Sequence, residues 1–375
     1  MMTLKMTKLF QVFFVCTISL TCLSFAMPSS EYSILNHDQF NKYSSSEEGV
    51  LQLFQLWQKE HEREYRNPEE ESSRFQIFKK NLLYINEKNA KRKSLLQHHL
   101  GLNKFADMSP EEFKKTYLHD IEKPSKWDNR KVHNDDDDDD DESCLNLPAS
   151  VDWRAKGAVT EVRDQGNCQS DWAFSIVGSI EGKNKIINSN LVTLSTQQLI
   201  DCDLENNGSG GGNYFGASTY LTEKGGIDTE ADYPYIAKDD RCKRNAKNVV
   251  SVDYFHLLFY GSEENILCSS SKHPISVSLD ATGLQFYTSG IYDGEFCSKD
   301  SDYTNLNALI VGYGSVGDVD YWIVKNSWGK TWGDKGYLLI QRNVTSEWVE
   351  GVCGINLISA YPVLGSSSLT TISMD

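Results

Sequence analysis

The sequence has no long apolar run after Leu23, and basic residues are in the minority. The first absence excludes a chain built from transmembrane helices. Lys and Arg number 37 against 53 Asp and Glu, which gives a formal net charge of −16. A surface of that sign repels nucleic acid and anionic membranes, so neither is expected as a partner. Internal repeats are absent, as is a spaced acidic loop with a Gly turn that would predict a calcium site, and no metal or other cofactor is expected.

The first residues have the organisation of a secretory signal peptide. Lys5 and Lys8 precede an apolar stretch over residues 9–23, which ends at the small-residue site Ser24-Phe25-Ala26. This stretch is too short for a membrane span and predicts a cleaved signal over residues 1–26. The expected location is the secretory pathway, leading to a vacuole or lysosome-like compartment or to the extracellular space. Two N-x-S/T sequons, at Asn207 and Asn343, are candidate glycosylation sites.

The cysteine count is odd once the signal peptide is removed. The chain has nine cysteines, and loss of Cys16 and Cys22 leaves seven. At least one thiol therefore stays free or pairs between chains.

The rest of the chain divides at an acidic run. Residues 50–118 have apolar side chains at helical spacing, and Ser109-Pro110 marks a helix start. The run Asn134–Glu142 contains eight acidic residues, cannot bury apolar surface and predicts an exposed linker. From residue 143 onward a buried helix at Asp171 is followed by short β-rich runs. This order predicts an α+β domain in two lobes with a site between them.

Several ordered motifs resemble the papain-like cysteine proteases. The mature region contains VDWRAKGAVTEVRDQGNC, DYPY, VGYG, YWIVKNSWGKTWGDKGY and GVCGIN. The interspersed pro-region motifs of the family are matched by Glu70, Arg74, Phe78, Asn81, Ile85 and Asn89, and by Gly101, Asn103, Phe105 and Asp107. In detail the chain is most similar to the legume seed vacuolar subgroup of thiol-protease homologues, in which the nucleophile position is also altered.

The resemblance implies a domain organisation and a fold. It implies a propeptide over residues 27–133 with an inhibitor-type region at about 50–118, the acidic linker 134–142, and a papain-like domain over 143–375. The expected fold has a helical left lobe and a β-barrel-like right lobe, with the propeptide running backwards along the cleft between them. The protein's own propeptide is thus an expected partner.

The resemblance also places the catalytic positions, and two of them carry other residues. The family nucleophile is the second Cys of Gln-Gly-x-Cys-x-Ser-Cys-Trp, where this chain has Asp171, and Cys168 is the first. The family's His precedes Val-Gly-Tyr-Gly, and here that position is Leu306. After Ser143 the histidines are His256 and His273, and His273 is expected in a solvent-facing loop. The resemblance implies that both the nucleophile and the general base are missing.

Two interpretations of Asp171 follow. The structural one is that its carboxylate accepts backbone N–H bonds at a helix N-terminus. The functional one makes Asp171 a nucleophile that forms a mixed anhydride, or half of a carboxylate dyad.

Other family positions are retained. Gln165 matches the oxyanion-hole side chain, Asn326 the residue that orients the His, and Trp328 its shield. Gly211 and Gly212 match the glycines that bond an extended peptide. A weaker correspondence places Ser278, Thr304 and Asn307 around the main specificity pocket, which would make it unusually polar.

The family correspondence also implies the disulfides Cys202–Cys242 and Cys297–Cys353. The usual partner of Cys168 is replaced by Ser209. A Cys144–Cys168 bond stays open, and Cys268 is expected as a buried thiol.

The sequence leads to a papain-fold homologue that lacks catalysis and serves in storage, ligand binding or defence. The binding hypothesis allows a peptide, a small molecule or a cystatin-type inhibitor in the cleft. The alternative is an active endopeptidase-like hydrolase with unconventional catalytic residues. Without self-cleavage, another protease must remove the propeptide.

Overall fold

The structure is a computed structural model that describes residues 37–121, 144–243, 247–259, 261–298, 303–344 and 350–365. The predicted signal peptide over 1–26 and the acidic linker over 134–142 lie outside these residues.

The pro-region folds as a small helical unit around its own core. Its helices are α1 (His37–Ser44), α2 (Glu47–Glu60), α3 (Pro68–Ala90) and α4 (Pro110–Tyr117), with the short strand β1 (His99–Leu100) between the last two. Ser46, Asn67 and Ser109 cap α2, α3 and α4 through side-chain oxygens. Leu53, Phe54, Trp57 and Phe78 pack into one buried cluster at the crossing of α2 and α3.

The side chains at the matched pro-region motif positions make specific contacts within the pro-region and with the mature domain. The Arg74 guanidinium bonds Glu112 at 2.8 Å, and the Asn81 amide donates to the carbonyls of Ala106 and Met108. Asn103 donates to the Gln285 carbonyl of the mature domain at 2.8 Å. These side chains therefore tie α3 to the segment before α4, and that segment to the mature domain.

The left lobe of the mature domain is helical. It contains α5 (Asp171–Asn188), α6 (Thr196–Cys202) and α7 (Tyr214–Lys224). Trp172, Ile176, Val177 and Ile180 are fully buried on α5, and they contact residues of the other two helices in a second core. This buried helix is the one that the small and apolar pattern after Asp171 predicts.

The right lobe is built on an antiparallel-rich sheet with helix α8 (Glu263–Lys272) beside it. Its strands are β2 (Val151–Asp152), β3 (Tyr254–Phe259), β4 (Ile275–Leu279), β5 (Tyr287–Ser289), β6 (Ile291–Tyr292), β7 (Leu306–Val316), β8 (Val319–Lys325), β9 (Tyr337–Gln341) and β10 (Ile358–Val363). The order in the main sheet is β3-β10-β4-β7-β8-β9-β6, with β2 paired to β7, and β5 lies outside this sheet. The predicted papain-like α+β fold is confirmed, but no pairing among the described residues closes the sheet. The barrel-like description of this lobe is corrected to an open, curved path.

The pro-region is docked on the mature domain by backbone pairing and aromatic packing. Strand β1 pairs antiparallel with β5, so the pro-region adds a strand to the right lobe. Phe105, Phe113 and Tyr117 join the hydrophobic core of that lobe. None of the helices in the described part of the chain combines the length and apolar character needed to span a bilayer.

Three disulfides are present among the described residues. Cys202–Cys242 and Cys297–Cys353 are the pairings that the family correspondence implies. The third joins Cys144 to Cys268, across a sequence separation of 124 residues. The buried-thiol expectation for Cys268 is wrong, and so is the Cys144–Cys168 alternative, because Cys144 lies against α8 instead. Cys168 is the free, buried thiol.

Candidate functional site

The Asp171 carboxylate lies at the boundary between the two lobes. Asp171 begins α5 and is fully buried. Its Oδ1 accepts the N–H of Trp172 at 2.9 Å, and its Oδ2 accepts the N–H of Asn307 on β7 at 2.8 Å. Both oxygens are therefore engaged, one with the left lobe and one with the right.

The electrostatic environment of Asp171 is set by burial. Loss of water raises the pKa of this carboxyl, while the charge of His119 and the N–H groups of Asn307 and Trp172 act in the opposite direction. A small cavity beside the carboxylate is lined by the charged residues Arg163, Glu181 and Lys325 as well. Burial lowers the pKa of Lys325 to about 8, partly offset by Glu181.

Leu306 begins β7 and is 1 % exposed. It is paired with Leu279 of β4 and packs in the hydrophobic core of the right lobe. A leucine side chain can neither accept nor donate a proton, so this position offers no base beside Asp171.

Neither histidine of the mature region lies at the Asp171 site. His256 stacks on Tyr361, and His273 packs against the same ring. His273 is 3 % exposed at the end of α8, so the solvent-facing interpretation is wrong. Burial, with the charges of Lys183 and Lys272, lowers its pKa to about 3.

The side chains at the predicted oxyanion and orienting positions are both buried and serve the local turn. Gln165 donates from Nε2 to the Cys168 carbonyl at 2.9 Å and accepts from the Ser327 hydroxyl at 2.7 Å. Asn326 Oδ1 accepts the N–H of Ser327 at 2.8 Å, and its buried Nδ2 has no hydrogen-bond partner within the described chain.

The Cys168 thiol is hydrogen-bonded to a serine hydroxyl. Its Sγ lies 2.8 Å from the Ser209 hydroxyl, and the residue is 1 % exposed. The two positions that the family correspondence predicts as a disulfide pair are thus joined here by a hydrogen bond. A buried thiol in this place is not presented to the cleft.

Trp328 lies under the pro-region helix. Phe105, Phe113 and Tyr117 contact its ring edge-to-face, with centroids 5.2 to 6.1 Å away. The Lys104 ammonium donates to its carbonyl at 3.1 Å and also bonds Asp164. The predicted shield residue therefore forms part of the surface on which the pro-region docks.

Gly211 and Gly212 contact a histidine of the pro-region that was not predicted at this site from the sequence. His119, directly after α4, has its Nε2 3.0 Å from the Gly212 carbonyl and its Nδ1 3.5 Å from Asp171 Oδ1. A Cβ on Gly211 would lie 2.8 Å from the His119 ring, so this close approach needs glycine. The sequence-based prediction took in only the histidines after Ser143. The signal that could have found His119 was its place at the end of the pro-region, where the chain is expected to enter the cleft.

The three residues assigned to the specificity pocket lie together and are buried. Ser278 of β4 pairs with Asn307 of β7, and Thr304 lies just before that strand. The Ser278 Oγ, Thr304 Oγ1 and Asn307 Oδ1 atoms have no hydrogen-bond partner within the described chain. The structure thus groups three buried polar side chains at the start of β7, and their assignment to a specificity pocket stays a prediction.

The remaining candidate positions are at the surface. Asn207 and Asn343 are both exposed, and the Asn343 amide donates to Asp320 at 3.0 Å. In the described part of the chain no three His, Cys, Asp or Glu side chains are grouped as a metal site.

Family models match both parts of this architecture. Residues 147–363 match the papain family cysteine protease model, and residues 54–113 match the cathepsin propeptide inhibitor domain. The chain belongs to the papain family of cysteine proteases. Within this family it is similar to "P34 probable thiol protease" of Glycine max, at 44% identity over 89% of this chain and 88% of the relative. It is also similar to "Vignain" of Phaseolus vulgaris, at 40% identity over 89% and 91% of the two chains.

Solved precursor structures have the same arrangement. A recombinant stem bromelain precursor superposes with a TM-score of 0.75 at 34% identity, over 84% of this chain and 99% of the other. The proform of the Amb a 11 cysteine protease, a major ragweed pollen allergen, gives a TM-score of 0.75 at 34% identity, over 91% and 92%. The likeness to these precursors therefore extends over the pro-region as well as the mature domain.

Proposed function

We propose that this protein is a papain-family member without thiol-protease activity, and that its cleft serves to bind a peptide or small ligand. The observation that carries the proposal is Asp171, a fully buried carboxylate at the family's nucleophile position, with both oxygens held by backbone N–H groups. A carboxylate held in this way is a poor substitute for a thiolate, and its charge opposes an oxyanion beside it.

The second support is the position of the base. Leu306 is a core residue at the start of β7 and cannot take part in proton transfer. Removal of a nucleophile or its base from a hydrolytic triad typically reduces turnover by about 10⁶-fold. Two such replacements in one site favour a protein that retains the cleft but has no thiol-protease activity.

The retained parts of the cleft favour binding. Gly211 and Gly212 keep the close backbone approach that an extended peptide needs, and here they contact the pro-region. The polar lining formed by Ser278, Thr304 and Asn307 offers unpaired donors and acceptors to a polar ligand. Storage or defence in a vacuole or outside the cell is compatible with this function, and so is recognition by a cystatin-type inhibitor.

The test is peptidase activity of the processed protein at acidic pH under reducing conditions. Asp171→Ala and the double variant Asp171→Cys, Leu306→His are measured beside it. We expect the natural form to be silent and the double variant to cleave peptide substrates, because only the catalytic pair differs.

Cleavage by the natural form that Asp171→Ala abolishes would overturn the proposal and establish an unconventional carboxylate hydrolase. Binding of an immobilised cystatin-type inhibitor to the silent natural form then separates a ligand-binding cleft from a storage role without a partner.

A further inference from the structure

His119 occupies a defined place beside Asp171 in the precursor. Its side chain is nine-tenths buried and Asp171 is fully buried. The ring spans two acceptors, with Nε2 3.0 Å from the Gly212 carbonyl and Nδ1 3.5 Å from Asp171 Oδ1. Apart from this ion pair, Nδ1 has no hydrogen-bond partner among the described residues.

Backbone bonds on both sides fix the histidine in this place. The His119 N–H donates to the Asn305 carbonyl, and the Ile121 N–H donates to the Thr304 carbonyl, each at 3.1 Å. Before the histidine, the Gln169 amide holds the Lys115 and Leu118 carbonyls at 2.9 Å each. These bonds determine which pro-region residue faces Asp171, and that residue is His119.

The Gly212 carbonyl and the Asp171 carboxylate limit which protonation state of the His119 ring fits between them. Nε2 lies 3.0 Å from the Gly212 carbonyl oxygen and 3.4 Å from the Gly212 nitrogen, whose N–H points at it; since a carbonyl oxygen can only accept, the shorter contact favours a proton on Nε2. A neutral ring with that proton would direct the Nδ1 lone pair at a carboxylate oxygen. The other neutral tautomer would direct the Nε2 lone pair at the Gly212 carbonyl. The imidazolium cation carries an N–H on each ring nitrogen, one toward the carbonyl and one toward the carboxylate, and leaves no lone pair facing either acceptor.

The charges around the pair are compatible with a cation at this point. The groups that face Asp171 or share its cavity are His119 from the pro-region, Tyr214 from α7, and Arg163, Glu181 and Lys325. Arg163 lies between Glu230 and Glu181, and Glu181 also acts on the Lys325 ammonium. His119 is thus the basic side chain nearest to the Asp171 carboxylate among those the structure describes.

We propose that Asp171 and the Gly212 carbonyl form a binding site for the imidazolium side chain of a peptide histidine lying in the cleft, and that His119 is its occupant in the precursor. This inference rests on the proposed function, because it names the side chain that the catalytically inactive cleft binds. Asp171 is then a recognition residue at the position where relatives carry a nucleophile.

The experiment is a chemical rescue of the full-length precursor with His119→Gly. Removal of the ring leaves a cavity beside Asp171, and free imidazole is the probe. Binding is followed as the rise in the unfolding midpoint with imidazole concentration, at pH 5.5 and at pH 8.0. The matched control is the double variant His119→Gly, Asp171→Asn, which has the same cavity without the negative charge.

We expect imidazole to stabilise His119→Gly more strongly at pH 5.5, where most of the imidazole is protonated, than at pH 8.0. Its apparent affinity for the double variant should be about tenfold weaker, since the attraction between the imidazolium and the carboxylate is lost. Equal stabilisation of the two variants, or no dependence on pH, would overturn the inference.

A second measurement uses the unaltered side chain, in case the cavity variants do not fold. In the wild-type precursor with ¹⁵N-labelled histidine at pH 5.5, both ring N–H protons of His119 should be protected from exchange with water. Asp171→Asn should remove the protection at Nδ1 and keep it at Nε2. Two rapidly exchanging protons in the wild type would contradict the site.

The outcomes distinguish the two proposals. Peptide cleavage by the natural processed protein would refute the proposed function and leave the imidazole result as it stands. Silence in the peptidase assay together with failed rescue would refute the imidazolium site alone.

Discussion

At the scale of single residues, two buried ionisable side chains show how strongly neighbouring groups affect the pKa. Asp171 and His273 are both buried, but they meet different surroundings. Burial raises the pKa of the Asp171 carboxyl, and its two backbone donors and the histidine beside it oppose that rise. His273 has an aromatic ring and two lysines near it, which oppose a positive charge. Residue type alone predicts neither condition.

The first prediction at this scale concerns His273 and acid. Its pKa is about 3 in the folded chain, below the value of about 6.5 for an exposed histidine, so the unfolded chain binds the proton first. Its contribution to stability is present above about pH 6.5 and is lost as the pH falls towards 3. Between pH 7 and pH 4.5 this amounts to roughly 2.5 kcal/mol. We expect His273→Gln to lose less free energy of unfolding than the wild type over that range.

The measurement is the free energy of unfolding by denaturant at a series of pH values. His256→Gln is the control, since His256 stacks on the same Tyr361 ring but is only half-buried. A His273→Gln curve parallel to that of the wild type would show that this histidine is not responsible.

At the scale of elements, the helix α4 connects the pro-region to the cleft. Ser109 and Glu112 form a reciprocal capping box at its start, and Arg74 of α3 bonds the same carboxylate. Phe113 and Tyr117 on its buried side contact Trp328. The cap therefore stabilises the helix from which the chain passes directly to His119.

Removal of this cap should loosen α4 locally. Loss of a Ser N-cap typically costs about 1 kcal/mol, so Ser109→Ala should accelerate exchange of the Phe113 amide about fivefold. That amide donates to the Ser109 carbonyl at 2.9 Å. The measurement is native-state hydrogen exchange of the precursor. Glu111→Gln is the matched control, because Glu111 is an exposed residue in the same turn.

An unchanged Phe113 rate in Ser109→Ala would mean that packing on Trp328, and not the cap, holds this turn.

Elements were predicted better from sequence than the contacts between them. Local pattern was sufficient for the buried helix after Asp171 and for the Ser109 cap, because both depend on neighbouring residues. The Cys144–Cys268 bond and the burial of His273 depend on where α8 and β10 lie in space. His119 was missed because the imidazole and the carboxylate are 52 residues apart and belong to different parts of the chain. Such proximity follows from docking and leaves no local pattern.

At the scale of the whole molecule, the Cys144–Cys268 disulfide closes the largest covalent loop that the structure describes. A loop of 124 residues restricts the unfolded chain by roughly 5 kcal/mol in the chain-entropy model. We expect Cys144→Ser to lower the free energy of unfolding by several kcal/mol under non-oxidising, non-reducing conditions. Cys168→Ser is the control, because it removes a thiol outside any disulfide.

The measurement is denaturant unfolding together with non-reduced peptide mapping. A map that joins Cys144 to another cysteine, or a Cys144→Ser variant as stable as the control, would contradict the pairing.

The same disulfide affects where the processed chain begins once the propeptide has been removed. Cys144 lies immediately beyond the acidic linker, where we expect another protease to cut, and β2 pairs with β7 only a few residues later. An imprecise cut leaves a ragged amino end, which exopeptidases would then trim. A half-cystine bonded to α8 is a barrier to that trimming. Processed molecules that begin at different linker residues would therefore converge on a common amino end near Cys144.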